Sequence, residues 1–485
     1  MRISNLSRRS FLRKAGAFAA AAPLLLNTSA FAQAAPLPEG SGKPGRRMLI
    51  KGATVLSMDA AIGDFSRADI LIVGDKIEQI GPDTIADDAA VIDAEGMIVV
   101  PGFIDTHHHL FQTALRSTLS DKLLFNDGLP ENALNYIETM VFGFTPHYRP
   151  EDVYISEKFG SLSQLDAGVT SVLDTSQINH TPEHTDAAIS GLLDAGQRAS
   201  FGYLAGSLGD ARRIRTQYFS SSDQLMGLVI GAEAQSPTFA EEWALARELG
   251  LPIASHVVGT FGLQEAFGKL AAQGQFGPDN ILIHMTGMSD EIWAAARDAG
   301  SSISLAVPIE MTMRHGIPPV MKLQEFGMRT SLSTDVESTM TADFFTQMRG
   351  IMTLQRALAN EMAISGAADV PKLFTARDVL EFATVEGARA LHTIDKVGTL
   401  TPGKQADLVL LDAAAINVAP LNNAAGAVVT LMDRSNVDTV LVAGKIRKWR
   451  GELVDVNVPK LRQEIEASRD YLLDASKFEQ NILRR

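Results

Sequence analysis

Cysteine is absent from all 485 residues. That excludes disulfides and thiolate metal ligands, so stability must come from the core and any metal must sit on histidine and carboxylate. Net positive charge is missing as well: 43 lysines and arginines face 57 aspartates and glutamates, giving −14 at neutral pH. A polyanion of that kind is a poor partner for nucleic acid. Long hydrophobic runs are also lacking. The longest apolar, alanine-rich stretch, 15–26, falls short of the about 20 residues that a membrane-spanning helix needs. No G-x-G-x-x-G follows an early strand, which weighs against an open, doubly wound nucleotide-binding sheet.

What is present begins at the N-terminus. Ser7-Arg8-Arg9-Ser10-Phe11-Leu12-Arg13-Lys14 leads into the apolar run, and Ala30-Phe31-Ala32 offers small residues for cleavage. This reads as a twin-arginine export signal over 1–32, so the mature protein is expected to be periplasmic or secreted. Cleavage would remove five cations and no acid, leaving a formal charge of −19 on a chain with no further membrane association. A linker rich in proline and glycine follows over 33–47.

Short alternating strands occupy 48–99, for example Asp69-Ile70-Leu71-Ile72-Val73, and the same texture returns over 397–450. Gly74-Asp75 and Ala443-Gly444 look like matching hairpin turns. Two strand-rich segments at opposite ends predict one small β-sandwich domain assembled from both. Between them, over 100–396, apolar runs alternate with amphipathic helices that close at Gly168, Gly196, Gly250, Gly300 and Gly327. Eight strands are expected, starting near 97, 170, 198, 225, 252, 281, 302 and 329. Repeated βα units of that number predict a (β/α)8 TIM barrel. A charged helical tail completes the chain over 451–485.

The chemistry-bearing residues fall at strand ends. His107 and His109 stand two apart at the end of the first barrel strand and share a face, while His108 points away into packing. His256 ends the fifth strand, His284 the sixth and Asp335 the eighth. Barrel enzymes build their sites on this rim, and the convergence of imidazoles with a carboxylate predicts a metal site.

P-G-F-I-D-T-H-H-H at 101–109, the strand-end His256 and His284, Asp335 and the late stretch from Gly387 to Leu408 resemble the amidohydrolase superfamily. The likeness covers roughly 48–450 and is strongest to the cytosine deaminase and triazine hydrolase branch. It implies His107, His109, His256 and Asp335 as ligands of one divalent ion, zinc or else ferrous iron. It also implies that His284 and Asp335 are the catalytic pair, Asp335 taking the proton of a water that the ion acidifies to a pKa near 7. Dinuclear members of the superfamily carry a bridging lysine near the fourth strand. No lysine occurs between Lys158 and Lys269, and Glu233 stands at that strand's end instead.

Two departures matter. Deaminases of the branch carry a glutamate three residues after the fifth-strand histidine, as a proton shuttle, and here that place is Gly259. The expected activity is therefore hydrolysis of a non-peptide C–N bond in an amide, carbamate, urea or cyclic amide. Deamination of an amino-heterocycle is the enzymatic alternative, and a non-catalytic periplasmic binding protein the third reading. The seventh-strand exit is also unusual, so Glu310, Arg314 and His315 join Glu233 as candidates for substrate contact, with His180 and His184 ambiguous. The partner expected is a small molecule, and the chain could form a homo-oligomer.

Overall fold

The computed structural model describes residues 36–483. The export signal expected over 1–32 lies outside them. Among the described residues no helix is long and apolar enough to cross a membrane.

Eight parallel strands form the barrel: Phe103–His108, Val169–Ser176, Arg198–Tyr203, Met226–Gly231, Ile253–Val258, Asn280–Thr286, Ser302–Leu305 and Ser331–Leu332. Each pairs with the next in sequence order. Closure of the ring is made by backbone just past the eighth strand. Asp335 N–H donates to His107 O at 3.0 Å, and His109 N–H donates to Asp335 O at 2.9 Å. The bonds that shut the barrel thus run through residues expected to bind metal. Below them the interior is apolar, built from Ile104, Leu173, Val229, Ala254, Ile281 and Ile283. The helix Val385–Ala390 closes the lower end, and Gly387 there lies so near Ile104 that an added Cβ would sit 2.7 Å from its Cβ.

The helices end where glycine allows them to. Gly196 and Gly300 are left-handed caps at φ 69° and 73°, a conformation that costs other residues energy. The glycine spacing in the sequence therefore marked real helix ends.

Both chain ends meet in a separate nine-stranded mixed sheet. The predicted hairpins are present, with Val73 paired to Lys76 and Val442 to Lys445 across two-residue turns. The halves join where Leu408–Asp412 pairs antiparallel with Met97–Pro101. Hydrogen bonding is continuous, and residues of both halves, among them Ile50, Ile70, Leu408 and Leu441, pack into one apolar cluster. The strand starting at 97 belongs to this sheet, and the barrel's first strand starts instead at Phe103. Gly102 separates the two because the chain there presses on Thr170, whose Oγ1 would lie 2.0 Å from a Cβ.

The tail helix Val458–Ser476 is more than a charged surface: it buries Leu461, Ile465 and Leu472 on one side. Arg149 covers the Tyr471 ring at 3.6 Å, fixing this helix to the head of the helix Pro150–Asp166.

Barrel and sheet are held together by a buried ion pair. Arg198, on the third barrel strand, donates through Nε to Asp407 Oδ2 at 2.8 Å and through Nη2 to Asp407 Oδ1 at 3.0 Å. Asp407→Ala would leave the guanidinium buried without its counter-charge. Chemical denaturation should show a loss of about 3–5 kcal/mol; a loss under about 1 kcal/mol would show that the pair does not tie the two parts together.

Candidate metal centre

Four histidines and one aspartate meet at the upper rim, all buried. His107, His109 and His256 lie close enough for their ligand atoms to share one ion, and so do His107, His284 and Asp335. His107 Nε2 is 3.3 Å from His256 Nε2 and 3.2 Å from Asp335 Oδ1. The Asp335 carboxylate reaches two further imidazoles: Oδ1 lies 3.7 Å from His109 Nε2, and Oδ2 lies 3.7 Å from His284 Nε2.

The backs of the rings explain this convergence. His109 Nδ1 donates to Thr175 O at 2.8 Å, and His107 Nδ1 meets Thr175 Oγ1 at 2.8 Å. His256 Nδ1 donates to Glu233 Oε1 at 2.6 Å, and His284 Nδ1 to Glu310 Oε1 at 3.0 Å. A proton held on Nδ1 leaves the Nε2 lone pair bare and directed inward. Lone pairs and a carboxylate crowded within about 4 Å repel one another, and a cation among them turns that repulsion into binding. The donor set therefore fits a divalent ion.

Ionisation agrees. Burial holds His109 and His284 down to about 4, and pushes His107 well below its ordinary value. Burial alone would raise Asp335, but the histidine cluster outweighs it and keeps the carboxyl well below the usual range. Neutral imidazoles beside a carboxylate are the forms a metal takes. His256 differs: burial opposes its cation, yet the Glu233 carboxylate overcomes that and raises it. The backbone is constrained here too, with His284 and Asp335 in the left-handed region at φ 73° and 60°.

Residues 98–447 match the Amidohydrolase family. The chain belongs to that family. It is accordingly a hydrolase acting on carbon–nitrogen bonds other than peptide bonds.

Among relatives, a 5'-deoxyadenosine deaminase of Methanosarcina mazei is 27% identical over 451 residues, covering 88% of this chain and 98% of its own. A 5-methylthioadenosine/S-adenosylhomocysteine deaminase of Caldanaerobacter subterraneus is 26% identical, with the same coverage of both chains. In structure the chain is similar to a zinc-bound adenosine deaminase from Xanthomonas campestris, at TM-score 0.75 and 21% identity, covering 89% of this chain and 99% of that one. A zinc complex of atrazine chlorohydrolase from Arthrobacter aurescens gives TM-score 0.74 and 20% identity, covering 87% and 100%. These likenesses in structure establish the barrel with its extra domain.

Within this amidohydrolase the remaining sequence candidates separate by position. Glu233 and His315 line a cavity of about 450 Å³ above the centre. Glu310, expected at the pocket mouth, is fully buried behind His284, with its Oε1 also accepting from Ala306 N–H at 2.9 Å. Arg314 turns outward to pair with Asp127 at 2.6 Å. His180 and His184 donate to Thr145 O and Tyr148 O, away from the cavity lining. His108 packs behind the rim, its Nδ1 on Thr334 Oγ1 at 2.8 Å.

Sequence reasoning missed Thr175, which orients two histidines, and Tyr136 with Gln112. Gln112 Nε2 donates to Tyr136 OH at 2.6 Å, so the phenol's own proton is free to donate into the cavity that Tyr136 lines. Burial lifts Tyr136 far above the ordinary phenol range, which keeps it a donor. Thr175 carried one readable signal, its place near the end of the second strand.

Glu233→Gln keeps the size of the side chain and removes the charge that orients His256. Zinc affinity, measured by competition with a chromophoric chelator, should fall about 10–100-fold. An unchanged affinity would remove Glu233 from the support of the centre.

Proposed function

We propose that the chain uses one divalent ion, zinc before ferrous iron, held by His107, His109, His256 and Asp335, to hydrolyse an amide, carbamate, urea or cyclic amide. The observation that carries this reading is Gly259. An added Cβ there would lie 2.9 Å from Thr286 O and 3.0 Å from Gly287 Cα, so the position is closed to a glutamate by backbone. Glu233 and Asp335 are the carboxylates that line the cavity, and Glu233 is engaged with His256. Expulsion of ammonia from an amidine-like ring leans on a dedicated acid, whereas opening an amide needs a single carboxylate to carry the proton.

When bound, the ion would supply Lewis acidity and a water acidified to near neutral pKa. The chain's own residues do the rest. Asp335 Oδ2 and His284 Nε2, 3.7 Å apart, flank the place where a proton must be collected and passed on. Asp335 is ready to accept because it is held anionic. His284, oriented by its Nδ1–H bond to Glu310, can take that proton from Asp335 at its bare Nε2 and pass it to the leaving nitrogen. Tyr136 adds a second donor from the cavity wall.

The deaminase reading is favoured by the names of the relatives and would require a displaced acid, either Glu233 leaving His256 or Glu310 leaving His284. Ammonia release from amino-pyrimidines, purines or triazines at rates above those for amides would establish it. Export by the twin-arginine route remains our reading of 1–32, and it would let the metal be loaded before translocation.

Asp335→Asn and His284→Ala should each lower kcat on an amide substrate by at least about 10³-fold while far-ultraviolet dichroism stays unchanged. Retention of more than a tenth of the activity in both would refute the assignment.

A further inference from the structure

The cavity above the centre is walled by Phe125, Phe261, Phe142, Ile137, Val141 and Met313. Apart from the metal-centre groups, Tyr136, His315 and Thr260, its polar lining comes down to Gln177, Gln235 and Glu233. Neither lysine nor arginine lines it, and Arg314, the cation nearest the seventh-strand exit, is paired with Asp127. Phe125, from the segment after the first strand, meets Phe261, from the fifth-strand exit, edge to face at 5.1 Å and 82°. The two rings come from different sides of the barrel mouth, and Phe125 is 37% exposed while Phe142 is 70% exposed.

Phe261 owes its place to the residue that is missing. The turn Gly259–Phe261 starts at the glycine packed on the Thr286–Gly287 backbone, and it carries Thr260 and Phe261 into the lining. The same close approach that excludes a glutamate thus puts an aromatic ring beside the substrate.

We infer that the substrate is a neutral molecule bearing an aromatic ring, seated against the Phe125–Phe261 pair, with its scissile C–N bond below at the centre. The inference rests on the C–N hydrolase reading but concerns the wall rather than the chemistry. Against the aromatic wall an anionic group would be desolvated with no lysine or arginine to meet it, and a ribose seated there would meet mostly carbon. A flat ring has faces and edges that match the aromatic pair. Relatives named for nucleosides should therefore differ from this chain in substrate.

The test uses the purified, zinc-loaded full chain with two readouts. The first is kcat/KM for acetamide, acetanilide and N-(2-naphthyl)acetamide, which should rise at least about tenfold with each added ring system. Adenosine and 5'-deoxyadenosine should lie at least about 100-fold below the naphthyl amide. The second is calorimetric binding of 2-acetylnaphthalene, which has the ring and a carbonyl but no C–N bond. Phe261→Ala and the more exposed Phe125→Ala should each weaken it at least about fivefold. Ketone binding that depends on these rings, without turnover of any C–N compound, would support the aromatic seat and refute the hydrolase reading. Equal turnover across the amide series, or ketone binding that is absent or indifferent to both substitutions, would overturn the inference.

Discussion

Mutual repulsion among buried acceptors is the constraint on which this structure turns. Four imidazoles and the carboxylate of Asp335 are pressed together where water cannot screen them. The arrangement persists because each ring is held from behind: two by Thr175, one by Glu233 and one by Glu310. Burial keeps His107, His109 and His284 neutral, and His256 alone is raised, by the Glu233 carboxylate beside it. A divalent ion is the missing charge. The same residues also close the barrel, through Asp335 N–H to His107 O and His109 N–H to Asp335 O. Fold and site therefore share their bonds, and the left-handed backbone at Asp335 is held by that closure.

A second constraint acts at the fifth-strand exit. Close backbone contact at Gly259 removes the acid that deaminases of the branch use, and it shapes the turn that brings Phe261 to the pocket. One packing contact thus bears on both leaving group and substrate wall. The deaminase names of the relatives and the chemistry proposed here diverge at this point, although the family is common ground. Loops set specificity on this fold, so a single glycine in one of them can outweigh a likeness that covers most of the chain.

Much of the architecture was legible because it rests on local rules. Glycines that cap helices, apolar runs that alternate with them, and histidines at strand ends all leave marks on nearby residues. His107, His109, His256, His284 and Asp335 could be gathered before any coordinates because each ends a strand of the same barrel. What stayed hidden depends on contacts between distant segments. The break at Gly102 is set by Thr170, 68 positions on. Glu310 looked like a pocket residue until its partner, His284, placed it behind the rim. The free proton of Tyr136 follows from Gln112, and the apolar wall from loops whose sequences, Phe125 and Phe261 included, show no periodicity of their own.

The most direct check of the central claim is the metal content of purified, active protein, counted by mass spectrometry and followed through removal and restoration. One divalent ion per chain, with amide hydrolysis lost on removal and regained at one equivalent, is the result predicted. Two ions per active chain, or full activity in metal-free protein, would contradict it.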